Sequence, residues 1–559
     1  MEYFIIIILN FIFCIILISN GILFKKLFNL KNINENIIES GLYGFILIST
    51  TTFILNFFFK ISNYLSLLLL ILPIFFIYKK IFYLKNKIFY YSAIGSLISS
   101  LIMILDWANR PDAGLYHLPY TNIINDSKII FGVANLEFRF GHASILQYLS
   151  AAFNNQIFTN KGILIPLSNI FAFSVIYIFN LFLKNNGVLK IIFFLFLFNI
   201  LYSMNRYSGF GNDDPAHMFF YLVICNYLIT FYCKNNNHNH YQNVIFFSVF
   251  VFLIKPFLIF IFFIPLLLLI SKKIKLISKV NIFCFTIILL WFLKNIIVSS
   301  CIIYPEPKFC FKSLQWTTIN SQVANPSSVK ITSEAWSKDW PNKKGEITQT
   351  EYIKNFNWLK VWKNNHFKIV LKETVPQIIM IIILFMIIPS HSDSYRLNKK
   401  KSLTIFLFSF FCITVWFLKF PIYRYGQSYI ILFLNSILIL FLNLKIKNFN
   451  FNINNLNKFL SSILVILCIG VLAKNVIRIN KNFNNKYIDY PWPKMNSFTD
   501  KNTKNKNIPV YSEDKKLLYF KPYPYTLCMS SESPCTSNNN VHNIKLRSKY
   551  GYKIYYYEN

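Results

Sequence analysis

The chain reads as an all-α polytopic membrane protein, and three features of the sequence carry that reading. Apolar runs such as Tyr3–Phe24, YFIIIILNFIFCIILISNGILF, are long enough to cross roughly 30 Å of hydrocarbon at ~20 residues per helix. Runs of this kind recur through most of the 559 residues, of which 55% are hydrophobic and only 14% charged. Lysines, finally, gather in short hydrophilic links between the runs, as in KKIKLISK and RLNKKKS. Repeated apolar segments imply helices, because a backbone group left unpaired in lipid has no water to bond.

Taken in order, the spans fall near 3–24, 40–58, 65–78, 88–105, 163–183, 190–204, 214–232, 244–256, 257–271, 280–298, 368–389, 402–418, 428–446 and 459–476. This predicts a bundle of roughly twelve to fourteen membrane helices over 1–476, followed by a small C-terminal outer-face domain over 477–559. The first run lacks a basic leading region and reads as a span, not a cleavable signal. If the short N-terminus lies outside, the inner links are KKLFNLKNINEN, YKKIFYLKNK, KNNGVLK, CKNNNHNHYQN, SKKIKLISK, SHSDSYRLNKKKS and KIKNFNFNINNLNK. Nearly all are rich in lysine, as inner loops are. The outer set is then 106–162, 205–213, 299–367, 419–427 and the tail. That parity requires 244–271 to be two short passes broken near Lys255-Pro256, where proline removes a backbone donor.

The formal net charge of +35 does not indicate nucleic acid. Arginine appears only seven times, and the lysines follow topology. Six of the ten cysteines (Cys14, Cys225, Cys233, Cys284, Cys412, Cys468) lie in spans or at their ends, where cysteine behaves as a small hydrophobe. The others form two close pairs on the outer side, Cys301/Cys310 and Cys528/Cys535. Disulfides persist in oxidising compartments, so the pairs agree with that placement, the first more strongly than the second.

The polar groups that are not plain lysine links also share the outer side. The first outer loop carries Asp106, Asp112, His117, Glu137, Arg139 and His142. Arg206, Asp213, Asp214 and His217 surround the second, and Arg424 sits between two tyrosines in the fourth. Lys255 and Lys294 are cations within apolar runs. Ionisable groups at a membrane are costly and usually face a polar cavity or mark a site. From local pattern Asp112 reads first as the N-cap of a helix beginning AGLYHLPY, with a general base, or a carboxylate orienting an acceptor hydroxyl, as the functional alternative. NDDPAHMFF likewise reads as a cap followed by proline at the first helical position. His217 reads as an orienting or core histidine. Arg206 and Arg424 suit bidentate phosphate binding or an ion pair with Asp213 or Asp214. No zinc, Walker or dinucleotide pattern is present, so no cofactor is indicated and a divalent metal has no support.

The segments DAGLYHLPY, GVANLEFRFGHAS, RYSGFGNDDPA, IKPF, KNIIVSSCIIYPEPKFCF, EAWSK and WFLKFPIYRYG, spread over about 106–427, resemble a family of bacterial multi-pass proteins grouped near the GT-C membrane glycosyltransferases. The resemblance implies a GT-C-like bundle that takes a sugar from a polyprenyl-phosphate donor to a glycan, lipid or protein acceptor, in the bacterial inner membrane with its active face periplasmic. It implies Asp112 as the acceptor base, His117 as its companion, and Asp213 or Asp214 as a second acidic site. Arg424, with Arg206 and Lys255, would hold the donor phosphate, and Asp106, Glu137 and Arg139 would support the site. Cys301 and Cys310 match the family's cysteine pair. Where the GT-C first loop has two adjacent acids that bind metal, this chain departs from the pattern with a lone Asp112 and Asp106 six residues earlier. A glycan polymerase or ligase, and a transporter or flippase of lipid-linked glycans, are the alternative readings.

Overall fold

The computed structural model describes residues 2–30, 36–105, 111–204, 210–232, 238–340, 347–388, 399–444 and 453–483, and in the C-terminal region 492–493, 506–512, 515–523, 527–538, 541 and 543–558. Four helices come first: α1 (Glu2–Leu27), α2 (Ile37–Asn56), α3 (Asn63–Phe76) and α4 (Tyr78–Leu105). Asn36 and Ser62 cap α2 and α3, each side-chain oxygen accepting a backbone N–H that the helix leaves unpaired. The first outer segment holds α5 (Leu118–Asp126) and α6 (Ile145–Ala151), the latter started by a capping box between Ser144 and Gln147. Then follow α7 (Ile165–Lys184), α8 (Gly187–Tyr202), α9 (Asp213–Tyr232), α10 (His238–Ile254), α11 (Phe263–Ile270) and α12 (Lys279–Ser299). The third outer segment carries α13 (Pro326–Ser337) and α14 (Gln349–Ile353). The bundle closes with α15 (Leu359–Ile387), α16 (Lys399–Lys419), α17 (Tyr423–Leu444) and α18 (Ile453–Phe483).

Among the described residues, nine helices are long and apolar enough to cross a membrane, and four apolar helices are shorter. With α9, each of the fourteen expected spans falls on a helix. The protein is therefore a multi-pass membrane protein. Boundaries differ where polar helix formers extend an apolar run. YKKIFYLKNK, read as an inner loop, is helical and forms the first turns of α4. Lysine is a good helix former, and here Lys85 lies 4.8 Å from the Phe82 ring centroid, one turn away. The break in 244–271 is present. Lys255 is extended (φ −146°, ψ 96°) between α10 and a 3₁₀ stretch, Pro256–Phe262, that leads into α11.

Helices α1 and α2 meet through backbone. A Cβ built on Gly21 would lie 1.5 Å from the Ser40 carbonyl oxygen, and one on Gly44 would lie 2.0 Å from that of Leu17. Small residues allow helices in lipid to approach this closely. Gly21→Ala is expected to lower stability by about 1–3 kcal/mol or more, since backbone must yield. An unchanged thermal midpoint in detergent would count against that packing. At the end of the bundle opposite the first outer segment, buried Lys25 and Glu39 pair at 2.5 Å. Asn243 bonds Glu39 and also Asn226, tying α2, α9 and α10 together.

The fold is not purely helical. Two antiparallel hairpins, β1 (Lys506–Tyr511) with β2 (Leu517–Tyr523) and β3 (Ile544–Lys549) with β4 (Tyr552–Tyr557), form the C-terminal part. The boundary expected at 477 falls inside α18, because the helix runs past the apolar stretch through Arg478, Asn480 and Lys481 to Phe483. The hairpin region docks on the first outer segment. Phe131 and β4 exchange backbone bonds, Phe131 N to Lys553 O and Tyr555 N to Phe131 O, each at 2.9 Å. Gly132 makes this possible: its φ is +65°, and a Cβ there would lie 2.2 Å from the Tyr555 carbonyl oxygen.

Candidate functional site

Asp112 lies in a short helical stretch whose next five residues, Ala113–His117, form one turn of π-helix leading into α5. Single π turns inside α-helices recur at functional sites. The capping role open to Asp112 is not what the fold uses. Its backbone is helical (φ −57°, ψ −33°) and its side chain caps nothing. Instead its Oδ2 accepts from Arg424 Nη1 at 3.0 Å, across 312 residues of sequence.

Arg424 is the second residue of α17, and its Nε lies 3.6 Å from Asp213 Oδ2. Asp213 opens α9, where a carboxylate also meets the positive end of the helix dipole. The second oxygen of Asp213 takes the ammonium of Lys255, which the break after α10 leaves free of helix. The expected cap followed by proline at the first position is replaced by a helix that starts at Asp213, putting Pro215 third.

Four segments thus contribute to one chain of alternating charge, Asp112–Arg424–Asp213–Lys255. Side-chain exposure falls along it, from 35% at Asp112 and 25% at Arg424 to 22% and 13% at Asp213 and Lys255. Asp112 is therefore the end that solvent and ligands reach most easily. Of the two neighbouring acids it is Asp213 that joins this chain. Asp214 is 9% exposed and adds its field to Lys255.

Aromatic rings line the cations. Lys255 Nζ lies 3.8 Å from the Tyr425 ring centroid, and the Arg424 guanidinium 5.2 Å from Tyr425 and 5.3 Å from Trp336. His217 fixes the backbone beneath Arg424. Its Nε2–H donates to the Arg424 carbonyl at 2.8 Å, and Nδ1 lies 2.9 Å from the Ser428 hydroxyl. The orienting reading of His217 fits this geometry.

His117 is 3% exposed and close to the charged chain, but its bond is to Gln147. Gln147 Oε1 accepts the Ser144 N–H at 2.5 Å, which turns its amide N–H to His117 Nδ1 at 2.8 Å. The neutral ring then carries its proton on Nε2. Burial pushes the His117 pKa down to about 4, with the Asp112 and Asp213 carboxylates opposing. The folded value lies below the unfolded one, so stability is full above about 6.5 and falls as the pH drops toward 4. The loss for this group amounts to roughly 3 kcal/mol. His117→Gln is expected to flatten the fall in thermal midpoint between pH 6.5 and 4. Identical acid slopes for variant and wild type would remove His117 as the cause.

The remaining candidates sit elsewhere. Glu137 pairs with Arg139 at 3.0 Å and accepts from Asn538 Nδ2 at 2.8 Å, linking the first outer segment to the C-terminal region. Burial raises the Glu137 carboxyl pKa and Arg139 opposes it. Arg139 reaches toward the π turn that follows Asp112, its guanidinium 5.9 Å from the Tyr116 ring centroid. Lys294 is buried, donates to the Ala143 carbonyl at 3.2 Å and lies 3.7 Å from the Trp291 ring centroid. Asp106 and Arg206 lie outside the described residues. Both cysteine pairs, Cys301–Cys310 and Cys528–Cys535, are disulfide-bonded. Among the described residues no three His, Cys, Asp or Glu side chains group as metal ligands.

Gln147, Tyr425, Ser428 and Trp336 were not singled out from sequence. Tyr425 adjoins Arg424, and Trp336 stands in EAWSK, which leaves an aromatic beside charge as the only local signal. Gln147 and Ser428 carry none, because their roles depend on distant partners.

No match to the chain is found among curated proteins or solved structures. The family model described as Domain of unknown function (DUF8201) matches residues 3–431, a stretch that holds Asp112, Asp213, Lys255 and Arg424, and the chain belongs to that family.

Proposed function

We propose that the protein is a GT-C-like glycosyltransferase of a bacterial inner membrane, moving a sugar from a polyprenyl-phosphate donor to an acceptor hydroxyl on the periplasmic face. The observation that carries this reading is the charged chain, in which the most accessible group is a carboxylate held by an arginine. Asp112 takes the proton of the acceptor hydroxyl as that oxygen bonds the anomeric carbon. The bond from that carbon to the phosphate oxygen breaks, with inversion, and the polyprenyl phosphate leaves with the electron pair. Guanidinium has five N–H donors and ammonium three, so Arg424 and Lys255 keep donors for the leaving phosphate beyond those given to the two aspartates. Donors already fixed by aspartates and aromatic rings need little reorganisation as charge develops. Neutral His117 serves as a support of the loop and a neutral hydrogen-bond donor, not as a phosphate-binding cation.

A cavity of about 800 Å³ adds support. It is lined by Ile259, Phe260, Phe263, Leu266, Leu407 and Phe411 among others, and none of the charged residues belongs to it. It adjoins the 3₁₀ stretch that follows Lys255, so a hydrocarbon chain beneath an anionic head would have an apolar place to lie.

Purified protein in liposomes, given a polyprenyl-phosphate hexose and lipid-linked acceptors, is expected to release sugar-free polyprenyl phosphate. Movement of intact donor between leaflets without release would favour the transporter reading. Joining of preformed glycans would favour the polymerase or ligase.

A further inference from the structure

Among the described tryptophans, Trp336 alone is largely exposed, at 46%, although its ring is large and apolar. Its neighbours show that it is held out and does not belong to a loose helix end. Ala335 and Ser337 are buried. Ser337 Oγ donates to the Glu334 carbonyl at 2.7 Å, and Tyr352 OH donates to the Lys338 carbonyl at 2.6 Å. Lys338 pairs with Glu334 at 2.8 Å and lies 4.8 Å from the Trp358 ring centroid. The end of α13 is thus fixed from several directions while Trp336 reaches Arg424, whose Nη1 holds Asp112.

Stacking on a guanidinium occupies one face of an indole and leaves the other available to a ligand. Nearly half of this one stays open, beside a guanidinium donor that in turn holds a carboxylate acceptor. That combination matches a pyranose. The C–H face of a sugar ring is apolar and lies flat on an aromatic ring, while its hydroxyl edge needs donors and acceptors at the rim. We propose that Trp336 is a stacking platform for the sugar ring of the substrate, with Arg424 and Asp112 at its hydroxyl edge. This inference rests on the glycosyltransferase reading and adds to it a specificity-determining residue for the sugar, as distinct from the lipid.

The test compares two ligands on protein reconstituted in nanodiscs: a polyprenyl-phosphate hexose and the same polyprenyl phosphate without sugar. Wild-type protein is expected to bind the sugar-bearing lipid more tightly by about tenfold, the scale of one good aromatic contact. Trp336→Ala is expected to lose that preference by weakening the sugar-bearing lipid more than the sugar-free one, with an unchanged thermal midpoint showing that it is folded. Trp336→Phe is expected to keep most of the preference. Equal binding of both lipids by wild type, or full preference in Trp336→Ala, overturns the platform. Failure of wild type to bind either lipid overturns the glycosyltransferase reading, and the platform with it.

Discussion

Asp112→Asn is expected to lower the rate of sugar transfer by about 10²–10⁴-fold, the range for loss of a positioned general base. Asparagine keeps the shape of the side chain and can still accept a bond from Arg424 Nη1, but it cannot take the acceptor's proton. The structural cost is expected to be small. Asp112 and Arg424 are 35% and 25% exposed, and Arg424 keeps Asp213 as a counter-charge. An ion pair that open to solvent contributes about 0–1 kcal/mol. The variant should therefore unfold within a few degrees of wild type and bind the donor lipid, yet release little polyprenyl phosphate. A fold loss would show as lowered thermal midpoint and lost lipid binding together. An Asp112→Asn protein with wild-type turnover would sink the assignment of the base.

Lys255→Met is expected to have the largest effect on stability. Lys255 and Asp213 are 13% and 22% exposed, and removing one partner of a buried pair leaves the other charge poorly compensated. Such losses reach about 3–5 kcal/mol, and Arg424 near Asp213 should hold this one toward the lower end. The informative comparison is a cycle with Asp213→Asn. If the pair acts as a unit, Lys255→Met/Asp213→Asn should be less destabilised than the sum of the single variants, because no carboxylate is left unpaired. The readout is unfolding in detergent by denaturant or heat. Additive effects would show that Lys255 and Asp213 act independently.

The membrane architecture is legible in the sequence because its cause is local. An apolar run long enough to cross hydrocarbon must be helical there, and the fourteen runs fall on helices. The break at Lys255-Pro256 is legible for the same reason, as proline cannot complete the helix ladder. Helix ends are less so, since Lys79, Lys80, Lys85 and Lys87 read as a loop while sitting in the first turns of α4. The candidate site is legible as a list and not as an arrangement. The one-sided placement of Asp112, Asp213 and Arg424 follows from loop parity, with Lys255 read as a cation at the break within an apolar run. The sequence around Asp112 reads first as a helix cap, and a partner 312 residues away decides against it. Asp213 and Asp214 are adjacent and chemically alike, and the direction each takes from the start of α9 separates them. Tertiary packing, invisible to local pattern, makes both choices.

The docking of the C-terminal region has a consequence for how the protein is assembled. Met529 N–H donates to the Gly114 carbonyl at 2.8 Å, within the π turn beside Asp112, and Asn122 donates to the Ser531 carbonyl at 2.7 Å. Asn122 and Ser531 are 409 residues apart, so the segment bearing Asp112 is synthesised long before its cover. During that interval the first outer segment stands open on its far side. The last spans must be inserted, and residues 527–536 delivered to the same face, before this segment gains its final backbone partners. Maturation of the candidate site is in this respect a late event of biogenesis, timed by translation and membrane insertion.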